Sequence, residues 1–339
     1  MNHPVETASD SDQQLLASAA AGCGRIADQM SRVVVGQQTI VRQLLAAVLA
    51  EGHALIVGVP GLAKTLMVKT LAEALGWSFK RIQFTPDMMP ADIIGMELLQ
   101  EDADGRHWKF APGPIFANLI LADEINRTPP KTQAALLEAM QEYTVTSMGT
   151  AHRLEKPFVV MATQNPIEQE GTYPLPEAQL DRFLFSLRIG YPSRAEEEQV
   201  VAATTTDERT AVEPVYSTDQ VMQFQQLVRR MPASKHVISY AVALARATRP
   251  DDETAGDFVK RYVRWGAGPR GPQGLILAAK AFAVLDGEPS AGAHHVRSAL
   301  MPVLRHRVLP NFNATGEDID ADRILRQVLE ETPEPDPAS

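Results

Sequence analysis

The chain has 339 residues, 45% of them hydrophobic and 22% charged, enough to bury a large core and to fill two domains. Its net charge of -10, from 32 basic and 42 acidic residues, argues against a protein whose main partner is the nucleic-acid backbone. A single cysteine, Cys23, excludes an internal disulfide or a cysteine zinc site, and with no span-length apolar stretch and no signal-peptide pattern in MNHPVETASDSDQQ a reducing, cytoplasmic setting is expected.

Residues 1–12 are polar and read as a disordered N-terminus. Leu15, Leu16, Ala19, Ile26 and Met30 predict a helix over 13–32, which ends at the β-branched run Val33–Val35 and Gly36. Gln37–Ala50 predicts a second helix, because Ile40, Val41, Leu44, Leu45, Val48 and Leu49 recur at three- and four-residue spacing. HALIV, 53–57, predicts a buried strand, and LMVKTLAEALG, from Leu66, a helix. Between them lies GVPGLAKT, Gly58 to Thr65. A strand, a glycine-rich turn with inward N–H groups and a helix N-terminus together form an anion cradle. In such a loop Lys64 reaches the β- and γ-phosphates of ATP and Thr65 offers a hydroxyl to Mg²⁺. The usual pattern has glycine where this chain has Ala63. With ordinary helical dihedrals there the methyl group costs little, whereas a positive φ costs about 1 kcal/mol or more.

Further strands are expected at 79–84, 118–122, 157–163 and 183–189, with helical patterns between most of them, notably Lys131–Glu142. The alternation implies an α/β fold, a mostly parallel sheet covered by helices on both faces. LILADE, 119–124, ends one strand in an acidic pair: Asp123 suits the metal's water shell and Glu124 suits polarisation of an attacking water. Asn165, after PFVVMATQ, either bonds the water or γ-phosphate or starts an Asn-Pro turn. MELLQEDADGRHWKFAPG, with Asp104-Gly105 as turn, predicts a β-hairpin at about 96–112, whose Trp108 and Phe110 face either the core or a pore.

Around Tyr191–Arg194 the strand-like runs stop, which marks a domain boundary. Helices are predicted near 193–203, 217–229, 234–249, 271–286, 292–303 and 319–331, an all-α unit, before an acidic, proline-rich tail read as disordered over 332–339. His294-His295 is read as the surface of a helix start rather than a metal pair, because adjacent histidines point different ways. Arg182, in LPEAQLDRFLF, and Arg270, in GAGPRGPQGL, follow the phosphate motifs in order.

From about residue 30 to 330 the chain resembles the MoxR family of AAA+ ATPases. The resemblance rests on VVVGQ at 33–37, GVPGLAKT, FTPDMMPADIIG, GPIFANLILADEINRTPPKTQAALLEAMQE, ATQNP, YPLPEAQLDRFLF and RYVRWGAGPRGPQGLILAAKAFAVLDG. Alanine at the position of Ala63 is itself a mark of that family. The resemblance implies a P-loop NTPase core over 13–191, with the hairpin as an insert, and a lid over 192–331. It implies that Val34, Val35 and Gly36 pack the adenine and that Gly58, Val59, Pro60, Gly61, Leu62, Ala63, Lys64, Thr65 and Leu66 hold the phosphates, with Thr65 and Asp123 toward Mg²⁺. Glu124 is then the Walker B glutamate and Asn165 sensor 1. Arg270 is sensor 2, directed at the γ-phosphate of its own subunit, and Arg182 is the arginine finger for a neighbour's ATP, with no evident partner in its own chain. Arg127 and Lys131 match the family string without an assigned role. The family also implies an ATPase ring, expected to be a hexamer, that remodels an unknown client with a von Willebrand factor A domain partner. The rival readings are a magnesium chelatase-like ATPase subunit and a nucleic-acid-dependent motor; a non-hydrolysing scaffold conflicts with Glu124, and a sigma-54 activator lacks its GAFTGA-like loop.

Overall fold

A computed structural model describes residues 10–102, 105–167, 171–205 and 211–335. Five short strands form its main sheet: β1 (Ala54–Val57), β2 (Phe79–Gln83), and, after a hairpin of β3 (Gly95–Asp102) and β4 (Gly105–Pro112), β5 (Leu119–Asp123); beyond a second hairpin of β6 (Thr144–Ser147) and β7 (Thr150–Arg153) come β8 (Val159–Gln164) and β9 (Phe185–Arg188). All neighbours in the order β2–β5–β8–β1–β9 are parallel, so every strand ends at the same edge. Buried on both faces, the central strands are apolar up to their C-terminal ends, where Asp123, Thr163 and Gln164 stand. In β5, Leu119 and Leu121 enter one core while Ile120 and Ala122 enter the other, as period-two geometry requires.

The first core is closed by α1 (Asp10–Ser31), α2 (Gln38–Leu49) and α3 (Lys64–Leu75); α4 (Pro90–Ile94), α5 (Pro130–Glu142) and α6 (Glu177–Leu180) follow, with Leu136, Leu137 and Met140 of α5 in the second. Helix α1 begins at Asp10, earlier than its apolar pattern suggests, so residues 10–12 are helical; the expected disorder of 1–9 lies outside the described residues. The first hairpin pairs Gly95–Asp102 with Gly105–Pro112; Asp104 of its expected turn lies outside the described residues. Phe110 stacks on His152 of β7 at 3.7 Å between ring centroids, while Trp108, two residues away on the same strand, is 62% exposed. Local pattern cannot separate the two, because what distinguishes them is how far the second hairpin reaches. That second hairpin was not anticipated.

The helical half comprises α7 (Arg194–Thr204), α8 (Thr218–Arg230), α9 (Lys235–Ala247), α10 (Asp257–Tyr262), α11 (Arg270–Asp286), α12 (Ala293–Leu304), α13 (Phe312–Gly316) and α14 (Ala321–Glu331), with a small antiparallel pair, β10 (Val263–Trp265) and β11 (Leu309–Pro310). Ser193 and Ser217 cap α7 and α8, each accepting from the backbone N–H three residues on. The chain changes character near residue 191, yet the core does not: α1 and α2 share one continuous apolar cluster with α8, α9, α11 and α12. Gln225 of α8 donates to the Val48 carbonyl of α2 at 2.8 Å inside it. In the expected tail, Glu334 pairs with Arg297 at 2.7 Å and His236 at 2.9 Å, which ties the chain down through residue 334; residues 336–339 lie outside the described set.

Candidate active site

The loop Gly58–Ala63 leaves the C-terminal end of β1 and enters α3. Its first N–H, from Gly58, donates to the Gln164 carbonyl at 3.2 Å, which ties the loop to the end of β8. Gly61 has φ +85, and a Cβ built there meets nothing within 4 Å, so the loop opens outward at that point. Ala63 has φ 53 and ψ 22. The alanine therefore takes the costlier of its two alternatives, a left-handed conformation worth about 1–2 kcal/mol against an L-residue. The left-handed turn sets the direction of the chain into α3, whose unpaired N–H groups then face the loop.

Lys64 is half-buried, and its Nζ donates to the carbonyls of Gly58 and Val59, within the loop that it would share with phosphate oxygens. Thr65 Oγ1 lies 3.4 Å from Asp123 Oδ2. Asp123, 7% exposed, accepts from Thr163 Oγ1 at 2.6 Å and from Arg81 through Nε at 2.9 Å and Nη2 at 2.7 Å. Glu124 also sits in the left-handed region, at φ 57, and its N–H donates to the same Thr163 hydroxyl at 2.8 Å. Its carboxylate accepts from Gln83 Nε2 and Arg127 Nη1, each at 3.0 Å. Thr163 thus orients both acidic residues at once, one through its proton and one through its lone pair.

Asn165 stands at the end of β8 and is 3% exposed. Its Oδ1 accepts from the Ile167 N–H at 3.2 Å, the Asx-type turn that an Asn-Pro pair favours. Its Nδ2 is buried and, among the described residues, has no acceptor. Such an orphaned donor is costly unless a ligand satisfies it. The open loop, the helix N-terminus, the Thr65–Asp123 pair and this donor fit a triphosphate with a divalent cation. Val34 is buried and Val35 half-buried; Gly36, at φ +68, lies so near Glu196 that a Cβ would come within 2.3 Å of Oε1.

The two arginines lie elsewhere. Arg182 precedes β9, and two residues on Leu184 donates its N–H to the His53 carbonyl at 2.8 Å, beside the start of β1. The phosphate loop is at the other end of that strand, and β1 alone spans about 10 Å. Arg182 donates Nη1 to the Leu137 carbonyl at 2.6 Å, so it does have a partner in its own chain, although among the described residues no carboxylate is in ion-pair range. Arg270 is also found here: its Nη1 is 3.7 Å from Asp181 Oδ2, and it lines one cavity with Arg182, Arg229, Arg307 and Glu51. Arg270, expected to address the γ-phosphate of its own subunit, here faces Asp181. Packing of α11 and α12 against α2 and β9 carries its N-terminus to the edge where strands begin, not to the edge where they end.

Residues 53–185 match the family model described as "ATPase family associated with various cellular activities (AAA)", and residues 257–328 match an AAA lid domain. Chaperone MoxR1 of Mycobacterium tuberculosis is 40% identical over 89% of this chain and 79% of its own length. Protein MoxR of Methylorubrum extorquens is 31% identical over 92% and 94%. An ATPase candidate from Cytophaga hutchinsonii, solved by crystallography, superposes with a TM-score of 0.89 at 35% identity, over 96% of this chain and 98% of that one. The chain belongs to the MoxR family of AAA+ ATPases.

As a MoxR-family ATPase it binds nucleotide and hydrolyses ATP. Among the residues around its phosphate loop, sequence reasoning missed Arg81, Gln83 and Thr163 and left Arg127 without a role; Arg127 holds Glu124, while Lys131 is exposed on the first turn of α5. The signal for two of them was present in FKRIQ: Arg81 and Gln83 alternate on one face of β2, and Gln83 pairs with Asp123 in register. The histidine pair is also revised. The rings of His294 and His295 lie 3.8 Å apart between centroids, tilted by 39°, and His295, 1% exposed, is not a surface residue. Its Nδ1 accepts from the Gly292 N–H at 3.0 Å, so the neutral ring carries its proton on Nε2, facing Asp286 and Glu288. His295 thereby caps the N-terminus of α12.

Proposed function

We propose that this ATPase acts as a ring in which each active site is shared by two subunits, and that hydrolysis remodels or assembles a client protein. The observation that carries the reading is the separation of Arg182 and Arg270 from their own phosphate loop by the length of the sheet. Arginines that cannot reach the ATP of their own chain are placed to serve a neighbour's.

Within one subunit, the loop N–H groups and Lys64 bind the β- and γ-phosphates, and Asn165 Nδ2 supplies the donor that its burial leaves unsatisfied. Thr65 and Asp123 would hold Mg²⁺, which supplies neutralisation of charge between the β- and γ-phosphates when bound. Glu124 takes the proton from the attacking water as it adds to the γ-phosphorus, and the bond to the β-phosphate oxygen breaks, leaving ADP and phosphate. Arg182 and Arg270 of the neighbour place positive charge against the transferring oxygens, an effect worth about 10³–10⁵ in rate in other NTPases. Because the helical half shares its core with α1 and α2, movement is read as whole subunits turning against one another, with the exposed hairpin residues Leu98, Leu99 and Trp108 meeting the client.

A hexamer, a von Willebrand factor A domain partner and a cytoplasmic setting complete this reading. Among the described residues no helix is long and apolar enough to cross a membrane. The test mixes two inactive proteins, Glu124→Gln and Arg182→Ala. Sharing predicts that the mixture regains ATPase activity, since some sites then combine an intact Glu124 with a neighbour's intact Arg182. No recovery at any ratio would sink the reading.

A further inference from the structure

Asp181 lies beside Arg182 in sequence and between two arginines in space. Its Oδ1 accepts from Arg307 Nε at 2.7 Å and its Oδ2 faces Arg270 Nη1 at 3.7 Å. Arg307 is 8% exposed, and its guanidinium is used completely: besides the Asp181 carboxylate it donates to the carbonyls of Asp181 at 3.1 Å, Phe183 at 2.8 Å, Leu184 at 3.2 Å and Val303. These are all five N–H donors of the side chain. The two residues before it repeat the pattern. Arg305 Nη1 donates to the Ser186 carbonyl at 3.2 Å, and His306 Nε2 meets the Phe183 carbonyl at 3.0 Å. Burial draws the Arg307 guanidinium below its usual range and Asp181 opposes that, as expected of a desolvated cation kept by one carboxylate.

A buried charge with this many bonds is poor value as a source of stability, because desolvation offsets most of what the pairing returns. It is well suited to fixing geometry. The segment Arg305–Arg307, from the helical half, grips the segment that carries Arg182, from the sheet half, and the same carboxylate turns toward Arg270. We infer that Asp181 and Arg307 are positioning residues that hold Arg182 and Arg270 as one unit, so that both reach the γ-phosphate of a neighbouring subunit in fixed relative geometry. This inference rests on the shared-site reading above. Neither residue touches nucleotide; each acts through the arginine it holds.

The experiment separates the two claims. An acceptor protein, Arg182→Ala/Arg270→Ala, keeps its phosphate loop and lacks both arginines. It is mixed with donor Lys64→Ala, which supplies the arginines, or with donor Lys64→Ala/Asp181→Asn. Positioning predicts that the second donor restores about tenfold less kcat than the first with the KM for ATP within about twofold, because misplaced charge weakens the transition state more than ground-state binding. Assembly and thermal midpoint of the two donors are compared alongside. Equal rescue by both donors overturns the positioning role and leaves the shared site standing. Rescue by neither overturns the shared site and this inference with it. Should the Asp181→Asn donor fail to assemble, Asp181→Glu keeps the carboxylate and shifts it outward by one methylene. Positioning then predicts partial rescue at unchanged KM, and full rescue overturns it.

Discussion

Gln83 donates its side-chain amide to the Glu124 carboxylate at 3.0 Å, across neighbouring strands of the sheet, while its own Oε1 accepts from Arg81, which holds Asp123. The two acidic residues at the end of β5 are thus linked through β2 as well as through their peptide bond. Replacing Gln83 with Leu should leave the loop intact and release the Glu124 carboxylate from one of its two donors. The expected result is a kcat lower by about tenfold with the KM for ATP changed by less than about twofold, because orientation of the base matters to the transition state more than to binding. Steady-state kinetics decide it, and a purely KM-directed defect would contradict the arrangement.

Glu124→Gln should retain nucleotide binding and lose hydrolysis by about 10²–10⁴, the range contributed by a positioned general base. Equilibrium binding of a fluorescent ATP analogue, set beside phosphate release, reads both quantities. Loss of binding in proportion to activity would place Glu124 in the scaffold rather than in the chemistry.

Thr163 bonds both Asp123 and the Glu124 N–H, and it is fully buried. Thr163→Val keeps the shape and removes the hydroxyl, which leaves a buried N–H and carboxylate oxygen each one partner short. Destabilisation of about 1–3 kcal/mol follows from that loss, together with weaker Mg²⁺-dependent ATP binding. Urea unfolding with and without MgATP measures the two effects, and a neutral substitution would show that water replaces the hydroxyl.

Ala63 offers a test with the opposite sign. At φ 53 its methyl group is strained, so Ala63→Gly should stabilise the folded chain by about 0.5–1 kcal/mol after the greater freedom of glycine in the unfolded state is counted. A rise in the thermal midpoint at unchanged ATP affinity is expected. A fall would mean that packing of the methyl group outweighs its backbone strain.

The buried His53 should shape the acid limb of stability. Its Nδ1 accepts from the Val160 N–H and its Nε2 meets the Met140 carbonyl, and burial lowers its pKa from 6.5 to about 4. The folded chain keeps this ring neutral where the unfolded chain protonates it, so stability falls as pH drops from about 6.5 toward 4, by up to about 3 kcal/mol. Denaturant titrations between pH 7 and 4 should show a shallower decline in His53→Gln than in the parent chain. Equal slopes would assign the acid limb to other groups.

Much was legible along the chain because it is local. GVPGLAKT between a strand and a helix, the acidic end of LILADE, and the six long helices of the second half each follow from spacing within a dozen residues, and the structure brings Lys64, Thr65, Asp123, Glu124 and Asn165 to one edge because parallel strands must all end there. Arg81, Gln83 and Thr163 were missed for the converse reason: a polar residue in a strand acquires its meaning from the register of the strand beside it. The Phe110–His152 stack and the second hairpin were hidden in the same way.

By itself, then, the sequence determined the phosphate chemistry, the α/β alternation and the family, since backbone conformation and apolar period are set by near neighbours. Tertiary structure decided where the two arginines stand. Arg182 and Arg270 are 88 positions apart in the chain and lie together at the far edge of the sheet because Arg307 closes on the Asp181 segment and α11 packs into the core of α1 and α2. No pattern along one segment encodes that meeting, because it depends on burial shared among helices drawn from both ends of the chain.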